Sequence, residues 1–458
     1  MDLADFSIQN KWWKGKEYIK EDKHIRDFSE KKYKFEPEAL KSIPLPGNIY
    51  TLRGPRQVGK TTLVKLLIKR LLEKDVPGKG IFYAGCDAVL NFSELLKLIR
   101  SYLEFADSNN VREKYVFLDE ISGIENWQKA IKLLVDTGEA GDVCFYLTGS
   151  HTLDIKQGLE LLPGRLGKHG KDHLLLPLSF REFVMLVRPE IGPKITPIEV
   201  LSIDAVNKSL GNIMPFDREL KVLFNQYLTT GGFVLAINEF YAENKIPDYV
   251  YEIYSRWVIG DVVKWGKQEN ILKQALRTAI IKQGTAVSWD SFAKEAEIKS
   301  HNTVSSYVED LENMFVFFVL YFIDQNKKTA DFGKNKKIYF FDPLIYHIFN
   351  KMFYSKETEI TPSLIEAVAA VHFARYYGDR PSQIRHVFYW KNKRETDLVI
   401  KTDENLFAVE VKYQEKIAND DFASLYHFKE GIIASKSAFM PDKKYSVIPI
   451  HILLAMLG

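Results

Sequence analysis

Gly54-Pro55-Arg56-Gln57-Val58-Gly59-Lys60-Thr61-Thr62 decides how the rest of the 458-residue chain is read. It satisfies G-x-x-x-x-G-K-[ST], and its flanks agree with it. Residues 48–52 before it read as a short buried strand, and Leu63, Leu66, Leu67 and Leu71 after it recur at helical spacing. Strand, glycine loop and helix N-terminus together bring successive backbone N–H groups around an anion, and glycine lets the backbone come close. On this pattern the backbone from Gly54 through Pro55, Arg56, Gln57, Val58 and Gly59 cradles phosphate. Lys60 reaches the β- and γ-phosphates, Thr61 offers its hydroxyl to magnesium, and Thr62 completes the loop.

Outward from the loop, apolar runs at 81–86, 115–120, 143–148 and 173–176 alternate with helical patterns; Trp127, Ile131, Leu134 and Val135 mark one of these helices. Apolar strands without polar alternation, separated by helices, predict a parallel sheet covered on both faces. The third strand ends in Asp119-Glu120. A phosphate-loop ATPase needs one carboxylate for the magnesium shell and another to activate water, so Asp119 is assigned to the metal and Glu120 to general base. The fourth strand ends at Thr148-Gly149-Ser150; Thr148 and Ser150 are candidates for sensing the γ-phosphate, or the segment is a plain turn. Arg165 is either a finger acting on a neighbour's nucleotide or an ordinary surface arginine. No Asn-Lys-x-Asp string occurs, which leaves ATP as the expected nucleotide.

Length alone suggests about three domains. A net charge of +3 with many charges of both signs neither demands nor excludes nucleic acid, so any basic surface must be local. Cys86 and Cys144 sit in apolar runs with no metal-spaced partner and read as core residues in a reducing compartment. The N-terminus lacks a signal-peptide pattern and no apolar run is long enough to span a bilayer, so a cytoplasmic protein without membrane contact is expected. Trp12-Trp13, in an otherwise polar arm, should pack against the body or a neighbouring subunit.

Residues 216–283 look helical, broken at Gly231-Gly232. Helices at 289–297 and 302–313, then strands at 316–323 and 337–341 joined by a polar hairpin over 325–336, outline a winged helix. Lys299, His301, Asn302, Thr303, Ser305 and Ser306 could meet phosphates, while Glu309, Asp310 and Glu312 would repel them. Lys327, Lys328, Lys334, Lys336 and Lys337 would form a basic wing. A last α/β unit follows: a helix over 363–377, strands at 386–390, 397–400 and 407–413, a helix at 422–428, and strands at 431–434 and 446–453.

The phosphate loop, Phe117-Leu118-Asp119-Glu120, Leu147-Thr148-Gly149-Ser150, Gly164-Arg165 and Pro177-Leu178-Ser179-Phe180-Arg181-Glu182-Phe183 occur in the order found in AAA-like ATPases common in archaea and bacteria. Trp12-Trp13 and Thr230-Gly231-Gly232-Phe233 also look like that family. The resemblance implies an α/β fold: an AAA-type P-loop parallel sheet, a helical and winged-helix middle region, and a C-terminal domain akin to the PD-(D/E)XK restriction-endonuclease-like nucleases. The expected segments are an arm over 1–46, the ATPase core over 47–195, a helical region over 196–283, the winged helix over 284–345 and the nuclease-like domain over 346–458.

In that last domain, Glu366 lies on the opening helix and Asp397 begins a strand. Glu410 and Lys412 share one face of the next strand by period-two alternation. Converging Glu366, Asp397 and Glu410 would hold one or two Mg²⁺, with Lys412 orienting water or stabilising charge at phosphorus. This matches the nuclease pattern with Thr396-Asp397 in place of Pro-Asp. Alternatively the fold is a relic whose charges form salt bridges. The expectation is an ATP- and Mg²⁺-dependent ATPase, a homo-oligomer (a ring such as a hexamer) acting on DNA, with possible metal-dependent nuclease activity. Its rivals are an ATP-gated binding switch with a non-catalytic nuclease fold and an ATP-driven protein remodeller.

Overall fold

Five apolar runs in the first part of the chain become strands: β1 (Ile49–Arg53), β2 (Ile81–Gly85), β3 (Lys114–Asp119), β4 (Val143–Gly149) and β5 (Asp172–Leu174). The computed structural model describes residues 3–37, 41–150, 167–355, 359–379, 385–403 and 405–458. It divides into two compact units, 1–176 and 177–458, so the division falls inside the segment assigned from sequence to the ATPase core.

In the first unit every strand pairing is parallel, in the order β2-β3-β4-β1-β5. Alternate residues of β3 serve opposite faces. Val116 and Leu118 pack with Leu95, Ile99, Trp127 and Ile131, while Tyr115 and Phe117 pack with Leu63, Leu67 and Leu71. Helices Phe92–Ser108 and Trp127–Asp136 therefore cover one face and Lys60–Glu73 the other. Cys86 and Cys144 are free and buried.

The edge strand β2 would present unpaired backbone groups, which cost free energy when water is excluded. The N-terminal arm meets them with side chains. Asn10 donates to the Tyr83 carbonyl at 2.8 Å and accepts from its N–H at 2.7 Å; Gln9 accepts from Gly85 N–H at 2.9 Å. Both indoles, Trp12 and Trp13, donate to Ile81 O at 3.0 and 2.9 Å. The paired tryptophans thus pack on the chain's own body.

The second unit holds β6 (Phe317–Asp324), β7 (Thr329–Phe340), β8 (Val387–Lys391), β9 (Glu395–Lys401), β10 (Leu406–Lys412), β11 (Glu430–Ser435) and β12 (Tyr445–Pro449). They form one mixed sheet, β12-β11-β10-β9-β8-β6-β7. The hairpin expected as a wing is thus continuous, through the β6–β8 pairing, with the C-terminal strands. Helices Trp289–Glu295 and His301–Asn313 precede it as expected.

Three local expectations are corrected. The polar segment over 325–336 is largely strand: β7 starts at Thr329, because its outer residues pair with β6 whatever their polarity. The strand expected over 446–453 stops at Pro449, and the buried helix Ile450–Met456 follows; an unbroken apolar run suits either conformation. In place of a helix over 422–428 there are two short 3₁₀ turns, Asn419–Phe422 and Leu425–His427.

The two family-like motifs of this unit support one another. Leu178 N–H donates to Gly232 O at 2.8 Å, and a Cβ on Gly232 would collide with the Leu178 backbone. Gly231 has φ +60°, and a Cβ there would strike Asp342, whose carboxylate accepts from Gly232 N–H at 2.8 Å and caps helix Pro343–Tyr354. Close approach, as much as the turn, requires both glycines. Among the described residues no helix is long and apolar enough to cross a membrane.

Candidate nucleotide site and a second carboxylate cluster

Between β1 and helix Lys60–Glu73 the phosphate loop turns on Gly54 (φ +153°), Gln57 (φ +61°) and Gly59 (φ +104°). A Cβ on Gly54 would run into the Leu175 carbonyl, so the loop lies flat against the start of the β5 connection. Lys60 is buried, and its Nζ donates to Gly54 O at 3.0 Å and Pro55 O at 2.9 Å, with Glu120 Oε1 at 3.6 Å. Burial lowers its pKa against the opposing pull of Glu120 and Asp119.

β3 lies between β2 and β4, and its last residue, Asp119, meets the start of helix Lys60–Glu73 through Thr61. Its carboxylate accepts hydroxyls from Thr61 at 2.6 Å, from Tyr83 at 2.9 Å and from Thr148. Thr148 Oγ1 also accepts from Glu120 N–H at 3.1 Å, tying the ends of β3 and β4 together. Glu120 stands at φ +56° and turns its carboxylate to Ser150, whose N–H and hydroxyl donate to Oε2 at 3.2 and 3.0 Å; Arg56 Nε donates to the same hydroxyl at 3.3 Å. Burial opposes ionisation of Glu120, but Lys60, Arg56 and the Ser150 bonds outweigh it and hold the carboxyl below its ordinary range. The structure thus brings Lys60, Thr61, Asp119, Glu120, Thr148 and Ser150 together, with Arg56 alongside. Arg165 lies outside the described residues.

Tyr83 went unforeseen. It sits at an odd position of an apolar strand, and nothing in the sequence marks its hydroxyl as an Asp119 donor. Burial, then Asp119, raises its pKa, so the phenol stays protonated and donates. Lys65 Nζ lies 3.3 Å from the Tyr83 ring centroid and 3.2 Å from Asp22, so the arm also closes over this corner.

In the second unit Glu366, on helix Pro362–Tyr376, and Asp397, on β9, converge as expected, and Glu410 and Lys412 share a face of β10, their charged ends 2.8 Å apart. Asp397 accepts from Val411 N–H at 2.9 Å and Glu410 from the Ser424 hydroxyl at 2.9 Å. Lys337 also enters this cluster: its Nζ lies 2.7 Å from Glu366, 2.7 Å from Glu395 and 3.7 Å from Asp397, with the side chain only 1% exposed. Tyr339, two residues along β7 and on the same face, donates to the same Glu366 oxygen at 2.5 Å. Burial and then Asp397 push Glu366 and Glu410 up to about 7. Burial works against the Lys337 charge, but its anionic neighbours outweigh it and hold the ammonium well above its ordinary pKa.

Among the described residues no group of three or more His, Cys, Asp or Glu is placed to hold a metal. The donors expected for Mg²⁺ from Glu366, Asp397 and Glu410 do not fit that ion, because an ammonium stands between the first two. Assigning Lys337 to an exposed basic wing is likewise corrected, and so is Lys336, which is buried with its Nζ 4.8 Å from the Trp289 ring. Lys327, Lys328 and Lys334 are exposed, as are Lys299, His301, Asn302 and Ser306. Two of the three acids expected to repel phosphate are neutralised internally: Asp310 pairs with Lys267, and Glu312 with Arg385 at 2.8 Å.

The five-stranded parallel sheet and the loop give the first unit the AAA-type P-loop fold, and residues 46–184 match the AAA domain family. Residues 221–355 and 363–453 match two domains of unknown function, DUF8612 and DUF4143. Curated relatives include two uncharacterized proteins of Methanocaldococcus jannaschii. One is 26% identical over 337 residues, covering 71% of this chain and 66% of its own length. The other is 22% identical over 299 residues, covering 63% and 60%. The chain spans about two thirds or less of the relatives it matches. Similar solved structures include a Walker-type ATPase of Pyrococcus abyssi (13% identity, TM-score 0.41, 66% of this chain and 91% of that one) and the ORC2 protein of Aeropyrum pernix in ADPNP–ADP complexes (13%, 0.36, 69% and 90%).

Proposed function

We propose that the chain hydrolyses ATP and, as a homo-oligomer, couples turnover to DNA binding. The observation that carries the hydrolytic half is the pairing of the phosphate loop with Asp119 and Glu120. Thr61 Oγ1 and the Asp119 carboxylate face one another, a donor set that fits Mg²⁺ beside a nucleotide; bound there, the ion would neutralise charge on the phosphates. Glu120, kept ionised and oriented by Ser150, is suited to take a proton from attacking water. Thr148 and Ser150 respond to the γ-phosphate through these same two carboxylates. Arg165 acts in trans as the finger, which is the reason for proposing an oligomer, a ring such as a hexamer.

DNA contact is supported by the exposed residues at the start of helix His301–Asn313 and by Lys327, Lys328 and Lys334 on the hairpin, with Asp310 and Glu312 neutralised. Lys337 among the carboxylates favours the reading in which the nuclease-like sheet binds without cutting. The test is ATPase activity with single-stranded, duplex and branched DNA at two salt concentrations. Stimulation that weakens at the higher salt is expected. Turnover indifferent to every DNA, with no salt-sensitive binding, would point to a protein as the partner instead.

A further inference from the structure

We propose that the Lys337 ammonium is the resident cation of the Glu366–Glu395–Asp397 cluster, occupying the position a divalent metal would need and so closing the cluster to metal. The inference stands on the geometry of the second unit and is independent of the ATPase reading.

The three carboxylates come from two separate elements, helix Pro362–Tyr376 and β9, and Lys337 comes from a third, β7. Glu395 and Asp397 are two apart on a strand and so face the same way. Facing carboxylates repel one another unless a cation lies between them, and a fold that partly buries them must supply it from solution or from its own chain. Here the chain supplies it: Lys337 from within, and the exposed Lys391 3.2 Å from Glu395 at the edge. Lys337 cannot easily withdraw: Leu320 of β6 pairs opposite it, its neighbours Ile338 and Tyr339 are buried, and the Tyr389 ring lies 5.6 Å from its Nζ. A divalent ion entering the cage would meet a fixed positive charge within 2.7–3.7 Å of the same carboxylates. Lys412 is partly exposed and pairs with Glu410 at 2.8 Å, with Asp397 a further charge in its surroundings.

The experiment is Mn²⁺ titration of the full chain without nucleotide, followed by electron paramagnetic resonance, for wild type, Lys337→Met, Asp397→Asn and the Lys337→Met/Asp397→Asn double variant. Wild type and Asp397→Asn should bind Mn²⁺ alike. Lys337→Met should gain one site per chain, about tenfold or more tighter than any wild-type site, and the double variant should lose it. A wild-type site that Asp397→Asn removes would overturn the proposal, as would a folded Lys337→Met that gains none. Should Lys337→Met fail to fold, the comparison of wild type with Asp397→Asn and Glu366→Gln still decides: a shared wild-type site lost in either refutes the proposal, and identical binding in all three supports it.

Discussion

Asp119 in the first unit and Asp397 in the second both lie near a lysine, yet their surroundings differ in charge. Asp119 accepts hydroxyls from Thr61, Thr148 and Tyr83, all uncharged donors, while Lys60 turns to the loop carbonyls and Glu120. Hydroxyls orient a carboxylate without cancelling its charge, so the attraction for a cation survives. Around Asp397, a buried ammonium is shared with Glu366 and Glu395 and cancels part of that attraction. The two clusters therefore differ in kind: the first leaves the Asp119 charge uncancelled, as the proposed Mg²⁺ role requires, and in the second a lysine of the chain offsets the carboxylates.

The largest expected effect is on turnover. Glu120→Gln should lower kcat by about 10²–10⁴-fold with ATP affinity retained, measured by steady-state hydrolysis and nucleotide titration. An equal loss of affinity would instead make Glu120 a binding residue. Stability should separate the two lysines. Lys337→Ala removes the buried cation that contacts Glu366, Glu395 and Asp397 and should cost about 3–5 kcal/mol. Lys60→Ala leaves Glu120 with its Ser150 donors and should cost about 1–2 kcal/mol. Urea unfolding of both variants checks the order, and a reversed order would break the contrast.

Acid probes the second unit from another side. His372 Nδ1–H donates to Val368 O and Nε2 accepts from Phe180 N–H, so the ring is neutral; burial, then Arg375, lowers its pKa to about 3. His347 donates to Leu228 O, its other nitrogen is buried without a partner, and burial lowers it to about 4. A histidine whose folded pKa lies below the unfolded value contributes stability fully above about pH 6.5 and loses it as pH falls towards the folded value. The stability lost in His372→Gln should therefore be greatest above pH 6.5 and shrink by roughly 2–4 kcal/mol on approaching the folded pKa. Glu366 and Glu410, held up near 7, act oppositely, losing stability as pH rises from about 4.5 to 7, so the difference between variant and wild type isolates the histidine. A pH-independent difference would mean that His372 contributes packing alone. The smallest effect is at Tyr83→Phe, which leaves Asp119 two of its three hydroxyls and should lower kcat by less than about tenfold.

How far the sequence reached follows the same physics. Strands β1 to β4 were legible because each is an apolar run buried on both faces, and the loop because its glycines and lysine have one well-defined use. Glu410 and Lys412 were legible as same-face neighbours through strand alternation, and Glu366 and Asp397 as carboxylates on a helix and the adjoining strand. Lys337 was not. In sequence it is one of several lysines on a hairpin, and whether alternation turns it inward depends on register with β6 and on carboxylates arriving from residues 366 and 395. Tyr83 was hidden likewise, since a tyrosine in an apolar strand reveals nothing of what its hydroxyl meets. The helix Ile450–Met456 was missed because a continuous apolar run has no period to read.

Counting Mn²⁺ on the full chain, saturated with a non-hydrolysable ATP analogue, tests the contrast most directly. One ion per chain is expected, lost in Asp119→Asn and unchanged in Asp397→Asn. A second ion that Asp397→Asn removes would contradict the account.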